Sequence, residues 1–233
     1  MLAHAFLLCV VIIDFSCHVK STAPSQEVIR REGLCLKIRN PAALDTFLLG
    51  RLVTTFFGRY PKFCEQFNPN APKTITLIFI NDTKESGPGS SIRSVIYLYP
   101  CQLQGNPDQL PETFCHELMH QVLPYKNNVE KWLIEGMADY GNYYYGTTSP
   151  QWHRDSFNNT PRNDISWQSG YQHTAKFLMW LDTKFPGFTL SLHKACLQGT
   201  YKKQKYFIDK TDKTMEQLWA LYRKSNFKIG AAD

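Results

Sequence analysis

The sequence predicts an α+β domain: a small N-terminal sheet followed by a helical C-terminal half. Three observations carry this. Short β-branched apolar runs occur only before residue 100, at Ile75 to Ile80 and Val95 to Tyr99. Apolar residues at helical spacing dominate from about Asp108 onward. At 233 residues with 43% hydrophobic composition, the chain suits one packed domain. Early strands followed by late helices pack as a sheet on a helical layer.

In chain order, residues 24–40 read as a lead-in of mixed charge. Asn40-Pro41 is a helix start, and Leu44, Phe47, Leu48, Val53, Phe56 and Phe57 mark a helix over 42–60. FNPNAP, from Phe67 to Pro72, is a loop. Ile75 to Ile80 reads as a buried strand, and SGPGSS, from Ser86 to Ser91, as a turn or flexible loop. Val95 to Tyr99 alternates before Pro100, as in a strand that ends at a sheet edge. A helix opens at Asp108 or Pro111 and closes near Leu123, where Pro124 follows. Val129 to Tyr145 forms the next helix, and the polar stretch from Gly146 to Asp164 a loop. Gly170 to Phe185 is helical up to Pro186-Gly187; Thr189 to Leu197 and Met215 to Ser225 complete the set.

The apolar run Ala5 to Ile13 is too short to span a bilayer and matches the core of a signal peptide. Small residues at Ser21, Thr22 and Ala23 offer cleavage sites, so residues 1–23 are expected to be a leader and 24–233 a single secreted, extracellular domain. The leader carries no Lys or Arg before its apolar run, which departs from the usual pattern. No later stretch is apolar enough to be a membrane span. Asn81-Asp82-Thr83 and Asn158-Asn159-Thr160 are N-glycosylation sequons consistent with export. Two of the seven cysteines, Cys9 and Cys17, fall in the leader. Cys35, Cys64, Cys101, Cys115 and Cys196 remain, an odd set that allows at most two intramolecular disulfides of unspecified pairing. The net charge of +6 is concentrated late, in Lys202, Lys203, Lys205, Lys210 and Lys213. It suits a solvated face or adhesion to anionic polymers. No recognition motif accompanies it, so nucleic acid is not an expected partner.

The chemistry is concentrated in His116-Glu117-Leu118-Met119-His120. On a helix, residues four apart share a face, so both imidazoles can address one metal ion. Glu117 projects about 100° away and can reach a metal-activated water without ligating. Flanking Phe114, Leu118, Met119, Val122 and Leu123 would bury these polar groups, which then demand partners. Glu135, on the next helical pattern, supplies a third ligand. Asp139, four residues on, lies on the same face and can accept the second ring N–H of a ligand histidine. Two histidines and a glutamate favour one Zn2+ ion with an open position for water, and Glu117 as general base for attack on a peptide carbonyl. The oxyanion needs a further donor: Tyr171 is the first candidate and His173 the second. Cys115 points away from the histidine pair and is expected in the core or a disulfide. His193 is expected in the core or on the surface, while His153 could line the cleft.

Four blocks taken together resemble the plant basic secretory protein family: FCHELMH from Phe114, WLIEGMADY from Trp132, WQSGYQHTAKFL from Trp167 and MEQLWALY from Met215. The resemblance covers about residues 70–226. Glu135 to Tyr140 is also similar to the downstream glutamate motif of gluzincins. The resemblance implies a zincin-like fold in which the HExxH helix is the active-site helix. It also implies a metallopeptidase acting on a peptide or protein, with His116, His120 and Glu135 as ligands and Glu117 as base. The alternative is a secreted, non-catalytic defence or binding protein that keeps zinc for structure. A closed structural site would have no use for Glu117.

Overall fold

The computed structural model describes residues 26–81, 87–103, 106, 109–125, 128–147, 155, 157–158 and 165–230. The expected leader, His153 and parts of both sequons lie outside the described residues. Five strands form one sheet: β1 (Gln26–Arg31), β2 (Leu34–Arg39), β3 (Thr74–Phe79), β4 (Gly89–Ile92) and β5 (Val95–Leu98). Their order is β1-β2-β3-β5-β4. The two outer pairs are antiparallel, and the β2–β3 and β3–β5 pairs are parallel.

Three expectations change here. Residues 24–40 are not simply a lead-in: β1 and β2 form a hairpin. Glu32 and Gly33, both at positive φ, make a two-residue turn whose twist matches the flanking strands. Part of the SGPGSS stretch is strand β4, which pairs with β5 through its backbone although its side chains are small. β5 is therefore an interior strand; β1 and β4 are the edges.

Among the described residues the longer helices are α1 (Thr46–Gln66), α2 (Leu110–Val122), α3 (Lys131–Tyr145), α4 (Tyr171–Lys184), α5 (Phe188–Gln198), α6 (Gln204–Thr211) and α7 (Met215–Lys224), and all but α6 follow the chain's apolar periodicity. α1 starts later than the sequence suggested. Pro41–Ala43 is a separate 3-10 turn, and the Asp45 carboxylate caps α1 by accepting from Leu48 N at 2.8 Å. α6 was not anticipated, because its Lys-rich sequence shows no long apolar stripe.

One face of the sheet, built from Leu36, Ile38, Ile75, Leu77, Ile96 and Leu98, is fully buried against Leu52 and Phe56 of α1 and Phe114 and Leu118 of α2. Burying such side chains contributes about 1.5–3 kcal/mol each. The helical half closes on an aromatic cluster in which Phe177 meets Trp219 and Tyr222 edge-on, at 5.2 and 5.5 Å. No disulfide joins Cys35, Cys64, Cys101, Cys115 and Cys196, although the sequence allowed up to two. They stand on separate elements, and Cys115 is a core residue whose Sγ faces Thr147 Oγ1 at 3.8 Å. Burial pushes the Cys115 thiol up to about 12. No helix among the described residues is long and apolar enough to cross a membrane.

Candidate metal centre

α2 and α3 pack antiparallel, so positions pair in reverse order along them. The Asn142 amide Nδ2 donates to Glu112 O near one end, His116 meets Asp139, and His120 meets Glu135 near the other. Gly141 makes the approach close, because a Cβ there would fall 2.2 Å from Met119 Cε. α4 locks the outer side of α3 in the same way: a Cβ on Gly136 would fall 2.2 Å from Thr174 Cγ2.

Three side chains from two helices converge as a result. His116 Nε2 and His120 Nε2 are 3.1 Å apart, and Glu135 Oε2 lies 3.3 Å from the first and 3.5 Å from the second. Among the described residues this is the one group of His, Cys, Asp or Glu with ligand atoms drawn together in this way, all within 4.8 Å. Zinc–nitrogen and zinc–oxygen bonds of about 2.1 Å at tetrahedral angles place ligand atoms about 3.4 Å apart. The donor set and its spacing fit such an ion.

Asp139 Oδ1 accepts from His116 Nδ1 at 2.6 Å, which turns Nε2 towards the cluster. Burial drives the His116 pKa down, but the Asp139 and Glu135 carboxylates outweigh it and the net direction is well upward. For Glu135 burial acts upward and is overridden by hydrogen bonding to the two imidazoles, so its carboxyl sits well below the usual range.

Glu117 is turned about 100° around α2 from His116, towards the edge strand, and lines the same cavity. It is 5% exposed, and burial raises its pKa against the downward pull of His116 and His120. Its Oε2 has no hydrogen-bond partner. Gly89 of β4 makes room for it: a Cβ there would lie 2.9 Å from Glu117 Oε1 and from Thr113 Cγ2. One turn along α2, the buried Gln121 donates to Ser91 Oγ on β4 at 2.6 Å. Sequence reasoning missed both contacts, since neither glycine nor glutamine carries a motif here.

Tyr171 opens α4 with φ +48, directly after Gly170 at φ +74. This left-handed pair, uncommon for a tyrosine, turns the ring over the centre. It stacks on His116 with centroids 5.9 Å apart and stays 47% exposed. Burial and the Glu135, Asp139 and Glu117 carboxylates raise its pKa, which keeps the hydroxyl a donor. His173 carries a buried Nδ1 with no hydrogen-bond partner, and burial lowers its pKa. It does not line the cavity. His193 is a core residue: its Nε2 donates to Phe67 O at 2.7 Å, and Tyr125 OH donates to its Nδ1 at 2.8 Å.

His116, Glu117, His120, Glu135, Asp139 and Tyr171 all line one open cavity of about 1240 Å³, bounded across from α2 by Gly89, Ser90 and Ser91 of β4. An edge strand, a motif helix and a second helix thus bring a glutamate and two histidines to one cavity. The fold is similar to the M1 zinc metallopeptidase from Deinococcus radiodurans, at TM-score 0.54 and 12% identity, covering 86% of this chain and 51% of that one. It is also similar to a variant of a two-domain M1 zinc metallopeptidase bound to L-arginine, at TM-score 0.55 and 12% identity, covering 85% and 51%. The chain spans about half the length of these proteins. No curated protein sequence matches. The family described as "Peptidase of plants and bacteria" (BSP) matches residues 102–222, just over half of the chain. The chain belongs to that family, the one its four sequence blocks resemble.

Proposed function

We infer that the protein is a secreted zinc-dependent peptidase that hydrolyses peptide bonds in a peptide or protein substrate. The observation that carries this reading is the convergence of His116 Nε2, His120 Nε2 and Glu135 Oε2 at tetrahedral-ligand spacing beside an uncommitted carboxylate oxygen of Glu117. The family match and the shared metallopeptidase fold support it. Secretion rests on the N-terminal apolar run.

His116, His120 and Glu135 would hold one zinc ion, and Asp139 would fix the His116 tautomer. When bound, zinc supplies Lewis acidity, which lowers the pKa of a water and polarises a carbonyl. Glu117 is the base: its raised pKa brings it nearer to neutrality, where a carboxylate both accepts a proton and passes it to a leaving amine. Tyr171, protonated and exposed to the cavity, donates to the oxygen on which charge develops. β4 brings a strand edge to the cavity, along which an extended peptide could pair.

Glu117→Gln is the test. The amide keeps shape and ligand set, so the variant should bind zinc at the wild-type stoichiometry and lose cleavage of a proteome-derived peptide mixture. A variant that cleaves as fast as wild type would refute the base assignment. A wild-type protein that loads zinc and cleaves nothing across the mixture would favour a structural role for the metal.

A further inference from the structure

The sheet's second face, away from α1 and α2, belongs to no site described so far. Every strand residue on it is half-buried or exposed except Cys35, and Ile92 at its rim is 63% exposed. No described helix supplies it with a cover comparable to the buried face. The strand register fixes what it presents. Arg39 stands in line with Ile78 and Tyr97, and Lys37 with Thr76 and Val95; Arg30 lies opposite Cys35. Arg30 is on this face because its neighbour Arg31 points the other way, its guanidinium 4.8 Å from the Phe57 ring of α1.

The three cations occupy one side of the face, on β1 and β2, in steps of about 7 Å, two residues along a strand. The strand residues facing this side include no Asp or Glu. None of the three makes an ion pair with a described residue. Beside the cations lies a shelf of hydroxyls and one aromatic ring, Thr74, Thr76 and Tyr97. An uncompensated cationic row of this kind raises the local concentration of a polyanion.

We propose that this open sheet face docks a carboxylated polysaccharide, its uronate groups on Arg30, Lys37 and Arg39 and its sugar rings on the hydroxyl shelf and Tyr97. The composition selects this occupant. Single-stranded nucleic acid calls for several stacking aromatics, and the face offers one. A membrane surface calls for a contiguous protruding apolar patch, whereas the exposed Val28 and Ile92 stand on opposite edge strands. The docking face is separate from the cavity and does not depend on the peptidase reading.

The test is retention of the full chain on immobilised polygalacturonate at low salt. Parallel arms carry neutral dextran, single-stranded oligonucleotide and vesicles containing anionic lipid. Wild type should bind polygalacturonate in preference to the other three and release with salt. The variant Arg30→Gln/Lys37→Gln/Arg39→Gln should bind about tenfold more weakly or worse, the scale of three screened surface contacts, with an unchanged thermal midpoint. Lys202→Gln/Lys203→Gln/Lys205→Gln removes the same charge elsewhere and should bind as wild type. The proposal is overturned if wild type is not retained, if it prefers the oligonucleotide or the vesicles, or if both triple variants weaken equally.

Discussion

Gly89→Ala probes the least conspicuous part of the proposed machinery. Gly89 is not among the residues at positive φ, so alanine fits the strand backbone and only space decides the outcome. The added methyl would sit 2.9 Å from Glu117 Oε1 and 3.0 Å from its Cγ. Ordinary contact begins at about 3.5 Å, so the carboxylate must yield by roughly 0.6 Å. β4 cannot easily move instead, because Ser91 on the same strand accepts a 2.6 Å hydrogen bond from Gln121. A misplacement near 1 Å costs a positioned group about 10²-fold, so a loss of about ten- to a hundredfold in kcat/KM is expected, about 1.4–2.8 kcal/mol. Zinc content should stay at the wild-type value, since no proposed ligand touches Gly89. The assay pairs elemental analysis with cleavage of a responsive peptide. Gly87→Ala is the control, because a Cβ there meets nothing within 4 Å. Wild-type cleavage by a folded, zinc-loaded Gly89→Ala variant would remove the idea that β4 confines the base.

Three further outcomes follow from the same geometry. Asp139→Asn loses the carboxylate that accepts from His116 Nδ1 at 2.6 Å, so zinc affinity should fall about 10–100-fold in chelator competition; an unchanged affinity counts against its orienting role. Gly136→Ala forces a Cβ to 2.2 Å from Thr174 and should lower the thermal midpoint by several degrees. Gly50→Ala, in open space on α1, should raise the midpoint slightly, and equal shifts would contradict the close packing of α3 on α4. Burial holds His193 below its ordinary value of 6.5, so the unfolded chain takes up its proton first as pH falls. Its contribution to stability is complete above about pH 6.5 and is lost as pH falls towards the folded-state value. His193→Gln should flatten that acid slope in urea unfolding, and a slope identical to wild type would assign it elsewhere.

The helical half was legible because its apolar residues recur at helical spacing and its ends carry Pro and Gly. The candidate ligands were legible for a related reason: His116 and His120 are one helical turn apart, as are Glu135 and Asp139, and that spacing is local. β1 gave no signal because it is an edge strand exposed on most of its length, so no alternation was needed. β4 was masked by Gly87, Pro88 and Gly89, which read as punctuation. Its strand character comes from the backbone of β5, a partner no local pattern reveals.

By itself, then, the sequence determined which side chains could meet on a helix face, and hence the donor set and the family blocks around it. Only the tertiary structure decided that α3 runs antiparallel to α2, bringing Glu135 to the imidazoles and Asp139 behind one of them. It also decided that β4 presses a glycine against Glu117, that no disulfide joins the five cysteines, and that a row of cations faces outward from β1 and β2. The physical reason is range. Periodicity is set by dihedral angles repeating over a few residues, whereas these contacts depend on which remote surfaces bury one another.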